Sequence, residues 1–360
     1  MDRPEETLPV QQYRTAEEAL VFRIPLHVFP GLMGFAYLVL VSANSATYRV
    51  LIDTGSGFGE SNAQLERGFR DVSQMSGERV GLEDLTHILL THGHVDHLGG
   101  LSFVRERTRA LLGVHELDLR NLTNYEERLT MITHRLSAFL IEAGVSPERH
   151  QQLIDMYRIT KSLYRSVGVD FTYEQAGMQV GPFRMLHVPG HCAGHVVIRL
   201  HDILFSGDHV LSEISPHQSP ELLTHSTGLD HYLHSLESVR CWARGVRLTL
   251  GGHKSPIADL PGRIDEIRML HRERLERILK LLEEPQTIQE LSQELFGEVH
   301  GYNVLLALEE TGAHVEYLDQ RGLIGIDNLQ ELNGSYASSP IRYRRLPGGM
   351  DGRPLGVNVL

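Results

Sequence analysis

The segment from His92 to His97 has the residue types and the spacing to hold metal ions. It contains three histidines and one aspartate within six residues, in the order His92, His94, Asp96 and His97. Residues two apart in an extended chain project to the same side, so the first two can converge on one cation. The last two follow where the chain turns towards a helix, and can face a second cation beside the first. Imidazole and carboxylate ligands without a thiolate suit zinc, iron or manganese and argue against a structural zinc cage.

Three further candidates, far apart in the sequence, complete the donor set. His191, Asp208 and His253 each directly follow a glycine at the end of a predicted strand. Ligands at strand ends along one edge of a sheet can meet in space, and a neighbouring glycine lets the backbone approach a metal closely. The predicted metal ligands are therefore His92, His94, Asp96, His97, His191, Asp208 and His253.

Strands alternating with helices are expected to position these residues. Short apolar or alternating runs predict strands at 21–24, 36–41, 48–52, 87–90, 183–188, 195–200, 203–206 and 246–250. One helix is predicted at 61–74, and another starts in the histidine-rich segment and continues through Arg107. Between 116 and 167 the apolar spacing is helical, and Gly144 and Pro147 separate two segments. This predicts a helical hairpin inserted between strands of an α/β architecture.

The region after residue 262 has a different character. Helices are predicted at 263–284, directly after Thr287, and at 302–321, and residues 322–327 and 339–345 are predicted to pair as two strands. Three helices and a β-hairpin form the winged-helix pattern. We therefore predict a catalytic domain at 1–262, a winged-helix-like domain at 263–345 and a flexible tail at 346–360.

The sequence resembles the metallo-β-lactamase superfamily over about residues 20–260, because its HxHxDH segment and its later His, Asp and His match all the ligand positions of that family. The resemblance implies an αββα sandwich that carries the helical insert and the C-terminal winged-helix domain. It assigns the first metal to His92, His94 and His191, the second to Asp96, His97 and His253, and a bridging position to Asp208. Asp53 matches a position that supports the ligand loops without touching metal.

The family chemistry implies a dinuclear hydrolase. A hydroxide shared by the two metals would attack the carbonyl of a small acyl substrate, a thioester or a lactone, while Asp96 orients the nucleophile and relays its proton. Zinc is the expected metal, and iron or manganese would also suit the ligands. The complete donor set disfavours a redox or merely ligand-binding role.

The branch of the family is indicated by two short segments. Residues 207–210 and 214–216 are similar to the glyoxalase-like and β-lactamase-like-protein-2 branch, which also carries a C-terminal winged-helix domain. That branch includes thioesterases, lactonases and endoribonucleases. A metal-dependent single-strand endoribonuclease is therefore the alternative to the acyl hydrolase.

Composition and charge restrict the partners. The chain has 360 residues, a formal net charge of −12 and two cysteines, as expected for a cytoplasmic protein without a disulfide framework. The third helix of the winged-helix pattern is acidic: it contains one basic residue, Arg321, and four acidic residues, Glu309, Glu310, Glu316 and Asp319. This charge argues against DNA binding. We expect a small-molecule acyl substrate, no DNA, RNA only as a less favoured substrate, and no membrane. Homodimerisation is one candidate role for the C-terminal domain.

Several other residues near the ligands are expected to be structural. The neighbouring histidines are expected at the surface or in hydrogen bonds that support the ligands; they are His195, His209, His217, His225, His231 and His234. Cys192 follows a ligand directly and has no assigned base, so it is expected to be a small packed residue rather than a nucleophile. Four tyrosines could line a pocket but are expected mainly in the core: Tyr157, Tyr164, Tyr173 and Tyr232.

Overall fold

Two β-sheets form the centre of the protein. The computed structural model describes residues 8–333 and 339–347, and no helix in these ranges is long and apolar enough to cross a membrane. The first sheet has seven strands in chain order: β1 (Gln11–Arg14), β2 (Leu20–Phe29), β3 (Leu32–Ala43), β4 (Ala46–Ile52), β5 (His87–Leu89), β6 (Leu111–Val114) and β7 (Phe171–Thr172). Neighbours are antiparallel from β1 to β4 and parallel from β4 to β7.

The second sheet contains the strands that precede the later ligands. Its strands are β8 (Gln179–Val180), β9 (Phe183–His187), β10 (Val196–Leu200), β11 (Ile203–Gly207) and β12 (Leu248–Gly251). They lie in the order β12-β11-β10-β9-β8. Strands β11 and β12 are parallel, and the other neighbours are antiparallel. Consequently β9, β11 and β12 all run in the same direction and end at the same edge of this sheet.

The two sheets pack face to face. Val50 and Ile52 of the first sheet share a buried apolar cluster with Ile198 and Phe205 of the second. The opposite face of the first sheet is covered by helix α1 (Ser61–Ser76), whose Leu65 is fully buried. The outer face of the second sheet packs against α7 (Leu229–Trp242). Helices therefore cover both outer faces, which confirms the predicted αββα sandwich.

The helix predicted from the histidine-rich segment through Arg107 is divided in two. It consists of α2 (Val95–Leu98) and α3 (Leu101–Arg105), separated by Gly99 and Gly100. A Cβ atom on Gly99 would lie 2.1 Å from the Ser56 carbonyl oxygen, and one on Gly100 would lie 2.3 Å from the Thr54 carbonyl oxygen. The two glycines thus allow the chain to pack closely on the turn that follows β4, and this contact interrupts the helix.

Helices cover the second sheet on the side of α7. The insert between β6 and β7 contains α4 (Leu119–Thr123), α5 (Tyr125–Glu142) and α6 (Pro147–Lys161), and 3-10 turns lie at Leu82–Asp84 and Glu116–Asp118. The C-terminal part contains α8 (Leu260–Leu281), α9 (Ile288–Phe296), α10 (Asn303–Asp319), β13 (Ile324–Ile326), α11 (Leu329–Leu332) and β14 (Tyr343–Arg345). Helix α8 begins three residues before its predicted start because Asp259 caps it, accepting a hydrogen bond from the Gly262 amide.

The C-terminal helices are not separated from the rest of the core. Leu275 of α8 and Leu308 of α10 belong to the same buried cluster as Leu140 of the insert and Val197 of the second sheet. The order of helices and the antiparallel pairing of β13 with β14 follow the pattern expected from the sequence. The domain boundary at 262 and the winged-helix assignment stay predictions, and most of the tail predicted at 346–360 lies outside the described residues.

Candidate metal centre

The ends of four strands bring the predicted ligands together. The segment from His92 to His97 follows β5, and His191, Asp208 and His253 follow β9, β11 and β12. Two groups result, and within each group the potential ligand atoms lie within 4.8 Å of one another. The first contains His92, His94 and His191, and the second contains Asp96, His97, Asp208 and His253. The structure therefore assembles every predicted ligand, in the grouping that the family resemblance implies.

Asp208 lies between the two groups. One of its carboxylate oxygens is 3.4 Å from His97 Nε2, and the other is 3.3 Å from His253 Nε2 and 3.9 Å from His191 Nε2. Within the second group, Asp96 Oδ2 lies 3.2 Å from His253 Nε2. Asp208 thus faces both groups, and its bridging of two cations stays a prediction.

The geometry and chemistry of these side chains fit divalent cations. His97 Nε2, His191 Nε2 and Asp208 Oδ1 are buried atoms without a hydrogen-bond partner among the described residues. Leaving a buried acceptor unsatisfied costs about 1–3 kcal/mol, so three such atoms close together require explanation. A cation in each group would supply the missing partner, and the nitrogen and oxygen donors suit zinc, iron or manganese.

The second nitrogen of several ligand rings is held by the protein. His97 Nδ1 lies 2.8 Å from Asp53 Oδ2, His191 Nδ1 lies 2.7 Å from the His217 carbonyl oxygen, and His253 Nδ1 lies 2.7 Å from the Met33 carbonyl oxygen. Each of these oxygens can accept the Nδ1–H of a neutral ring, which leaves the Nε2 lone pair free for a metal. The rings are therefore oriented before any cation binds.

Asp53 connects the first turn to the ligand segment. Its backbone has a left-handed φ of 58°, and its two carboxylate oxygens accept hydrogen bonds from the Thr91 amide and hydroxyl, both at 2.8 Å. One of the same oxygens also faces His97 Nδ1. These contacts match the supporting role that the resemblance implies for Asp53.

The local electrostatics favour neutral histidine rings in the first group. In the second group the carboxylates favour a positive charge, either a proton or a bound cation. Burial lowers the pKa of His92 and of His94 well below the usual range, and neighbouring rings lower each further. In the second group burial lowers the pKa of His253, but the carboxylates of Asp208 and Asp96 together outweigh this effect and raise that pKa to about 10. Burial raises the pKa of Asp208, yet His253 and His97 outweigh it and hold this carboxylate ionised.

Two further residues support the centre: His195, which was among the histidines predicted at the surface or in supporting hydrogen bonds, and Asp118, which was not identified from the sequence. His195 stacks on the His92 ring with centroids 4.6 Å apart, and its Nε2 accepts a hydrogen bond from the Asp208 amide at 3.1 Å. Asp118 is fully buried and accepts from the Gly194 amide at 3.1 Å. A lone aspartate at the start of the insert gives no sequence signal for this role. His195 gives a weak signal, because it lies four residues after the predicted ligand His191.

Cys192 is packed inside the protein, as predicted. Its thiol lies 3.3 Å from both carboxylate oxygens of Asp118. Burial raises the pKa of the thiol well above its usual value, and the Asp118 charge raises it further. Since the thiolate is the nucleophilic form, Cys192 is unsuited to covalent catalysis.

Two of the other histidines lie at the surface and two of the tyrosines lie in the core, whereas His209 is buried and its ring nitrogens lack a hydrogen-bond partner among the described residues. His225 and His234 are exposed. The Tyr173 hydroxyl donates to the Leu90 carbonyl at 2.8 Å, and the Tyr232 hydroxyl donates to the His209 carbonyl at 2.9 Å. These two tyrosines therefore belong to the core.

A further cluster of His271, Glu310 and His314 lies between α8 and α10. Its groups already bind one another: His271 Nδ1 lies 3.0 Å from His314 Nε2, and Arg274 donates to Glu310 Oε1 at 2.7 Å. The other Glu310 oxygen accepts from the Gln218 amide at 2.7 Å. This cluster is therefore a hydrogen-bond network that anchors the segment 215–218, whose His217 carbonyl holds the ligand His191.

Comparisons with known proteins agree with this geometry. Residues 30–285 match the family model described as the metallo-beta-lactamase superfamily. A probable metallo-hydrolase of Bacillus subtilis is 25% identical over 324 residues, which cover 85% of this chain and 93% of that protein. An atrochrysone carboxyl ACP thioesterase of Aspergillus fumigatus is 24% identical over 269 residues, covering 71% of this chain and 49% of that protein.

The structural comparison extends over nearly the whole chain. The crystal structure of a metallo-beta-lactamase family protein from Thermus thermophilus has a TM-score of 0.69 and 26% sequence identity, covering 91% of this chain and 98% of that chain. A beta-lactamase domain protein from Burkholderia ambifaria also has a TM-score of 0.69, at 20% identity, covering 95% of this chain and 97% of that chain. The match of residues 30–285 to the family model shows that the chain belongs to the metallo-beta-lactamase superfamily, and its sandwich fold and its His- and Asp-rich centre agree with this.

Proposed function

We propose that the protein hydrolyses small acyl compounds, thioesters or lactones, at a centre that holds two divalent cations. The observation that carries this proposal is the pair of adjoining ligand groups with Asp208 between them. When bound, two such cations supply Lewis acidity and a water molecule whose pKa is lowered towards neutrality. Zinc is the proposed metal, with iron and manganese as the alternatives that the same donors accept.

The chain contributes a partly exposed carboxylate, that of Asp96, at this centre. The Asp96 side chain is 16% exposed, whereas those of His97 and His253 are 2% and 5% exposed. Burial opposes the ionisation of Asp96, but the neighbouring His97 and His253 outweigh it and lower the pKa of the carboxyl. We assign to Asp96 the orientation of the attacking water and the transfer of its proton to the leaving group.

The acyl substrate class is supported by similarity and by charge. The thioesterase of Aspergillus fumigatus is a relative that acts on an acyl thioester, and this chain matches about half of its length. The net charge of −12 disfavours the endoribonuclease alternative, because RNA binding depends strongly on positive charge. We therefore rank the acyl hydrolase first.

The proposal is tested by assaying zinc-loaded protein with a panel of acyl thioesters and lactones. We expect turnover of at least one substrate class, and a loss of about 100-fold or more in kcat for Asp96→Ala, within the range for a positioned acid–base group. Asp155→Ala removes an exposed carboxylate from α6 and serves as the matched control. No turnover across the panel, together with cleavage of labelled single-stranded RNA that His94→Ala abolishes, would replace the acyl proposal by the nuclease.

A further inference from the structure

The end of helix α6 lies beside the ligand segment. Val95, between the predicted ligands His94 and Asp96, packs in a small apolar cluster with Tyr125 and Tyr164. The Tyr125 hydroxyl donates a hydrogen bond to the carbonyl oxygen of Lys161, the last residue of α6, at 2.9 Å. The insert thereby places the Lys161 side chain near the metal centre.

Lys161 carries a charge that no neighbouring group neutralises by direct contact. Its ammonium group lies 5.9 Å from the centroid of the Tyr302 ring, and it forms no hydrogen bond or ion pair with the part of the chain that the structure describes. Burial lowers the pKa of Lys161, and the charge of Asp96 partly offsets this effect. The geometry agrees, because the end of α6 is held by Tyr125, which packs on Val95 between the predicted ligands His94 and Asp96.

Glu309, an acidic side chain of α10 that faces Lys161 electrostatically, already has a hydrogen-bond partner. Glu309 influences the pKa of Lys161, but its carboxylate oxygen lies 3.0 Å from His217 Nε2. Glu309 therefore pairs with His217 and not with Lys161, so the Lys161 ammonium group remains available to a ligand.

Three tyrosines around the end of α6 also carry hydroxyls that lack a hydrogen-bond partner among the described residues. Tyr164 is 7% exposed, and its hydroxyl is buried without a hydrogen bond among the described residues. Tyr157 and Tyr302 are half-buried, and within residues 8–333 and 339–347 their hydroxyls form no hydrogen bond either. Tyr302 interacts electrostatically with Tyr157 and with Asp96, and Tyr164 does so with Asp96. A buried donor without a partner, such as the Tyr164 hydroxyl, is rare in proteins, and a polar group of a ligand would satisfy it.

We propose that Lys161, together with the hydroxyls of Tyr157, Tyr164 and Tyr302, binds a carboxylate on the acyl part of the substrate. An ammonium group and hydroxyl donors in a partly buried position form charge-assisted hydrogen bonds with such an anion. Because the end of α6 lies beside the segment from His94 to Asp96, we place the anion within a few bonds of the scissile carbonyl. A carboxylate at the far end of a short acyl chain meets this condition, whereas the phosphates of a coenzyme A leaving group lie at the far end of the pantetheine arm.

This inference rests on the proposed acyl hydrolase function, and a matched substrate pair tests it. Glutaryl and pentanoyl thioesters of N-acetylcysteamine have acyl chains of equal length and a leaving group without phosphate. We expect kcat/KM to favour the glutaryl thioester by about tenfold or more, and Lys161→Met to remove about tenfold of this preference, the range for a hydrogen bond to a charged group. Lys280→Met removes the same charge from an exposed position on α8 and should retain the preference. An unchanged ratio in Lys161→Met would overturn the inference.

A binding measurement separates this inference from the proposed function. Calorimetry on the metal-loaded protein compares glutarate with pentanoate, since both carry one carboxylate for the metals and only glutarate carries a second. Lys161→Met should reduce the affinity ratio, and Lys161→Arg, which keeps the charge, should retain most of it. If no thioester is hydrolysed, the proposed function fails while this ratio still decides the subsite. If Lys161→Met weakens the binding of free coenzyme A and leaves the ratio unchanged, the anion belongs to the leaving group and the carboxylate assignment is wrong.

Discussion

At the scale of single residues, the centre is held in shape by hydrogen bonds to the outer nitrogens of its histidines. A carboxylate and two backbone carbonyls accept these bonds, and they come from the separate positions Asp53, Met33 and His217. Fixing the rings before a cation binds lowers the entropy lost on binding, and such partners commonly change metal affinity by about 10–100-fold. The strength of the metal site thus depends on residues that do not touch the metal.

Asp53→Asn should weaken metal binding without unfolding the sheet. The amide keeps an oxygen for one Thr91 contact but removes the charge that orients His97. We expect a loss of about 10–100-fold in the affinity for the second cation, measured by competition with a chelator of known affinity. Asp71→Asn, at an exposed position of α1, is the control. An affinity equal to that of the unsubstituted protein would contradict the role given to Asp53.

The residues that form the two groups could be named from the sequence, whereas most of the residues that support them could not. The motif at His92–His97 is compact, and each later ligand follows a recognisable strand and a glycine. Backbone carbonyls such as those of Met33 and His217 carry no residue-type signal, so only the fold reveals them. Asp118 and Lys161 were missed for a related reason, because each is an isolated polar residue that the helical insert brings to the centre.

At the scale of elements, helix α10 reaches the metal centre through the segment 215–218. Glu310 fixes this segment at the Gln218 amide, His271 of α8 lies 2.9 Å from the Ser215 hydroxyl, and the His217 carbonyl holds His191. The sequence predicted helices in this region but not their contact with the centre. The observed helix boundaries also differ from the predicted ones where close tertiary contacts decide them, as at Gly99 and Gly100. The periodicity of apolar residues does not reveal such contacts.

Glu310→Gln should weaken the contact between α10 and the segment 215–218. The substitution removes the charge that binds Arg274 and weakens the acceptor for the Gln218 amide, at a cost of about 2 kcal/mol in the free energy of unfolding. Because His191 loses part of its positioning, metal affinity should fall as well. Denaturant unfolding and chelator competition measure the two effects. Glu276→Gln changes an exposed glutamate of α8 and should alter neither.

The buried pair His271 and His314 should make the docking of α8 on α10 sensitive to acid. Burial lowers the pKa of each ring below the usual value of 6.5. Between the lowered folded value and 6.5 the unfolded chain binds more protons, so the free energy of unfolding decreases as the pH falls through this range. We expect His271→Asn to show a smaller decrease between about pH 7 and pH 5 than the unsubstituted protein. The exposed His134→Asn is the control, and equal slopes in both variants would contradict the prediction.

At the scale of the whole molecule, one apolar cluster joins the sandwich, the insert and the C-terminal helices. A shared core of this kind favours cooperative unfolding over the independent melting of two domains. The sequence indicated the three regions by their different periodicity, but it could not show that they bury their apolar faces against one another.

Denaturant unfolding should therefore be a single transition. The single tryptophan, Trp242 at the end of α7, reports on the shared cluster, whereas far-ultraviolet circular dichroism reports on all helices and strands. We expect the two curves to coincide, and Leu275→Ala, which truncates a fully buried side chain of α8, to lower the free energy of unfolding by about 2–5 kcal/mol while they still coincide. Two separated transitions would show that the C-terminal helices unfold independently.

The most direct test of the two-metal hydrolase is a titration of metal-free protein with zinc while the hydrolysis of a thioester is followed. If both ligand groups are needed, as the position of Asp208 between them indicates, activity should be absent without metal and should rise to a plateau at two equivalents per chain. Activity that persists after complete chelation, or a plateau at one equivalent, would contradict the account.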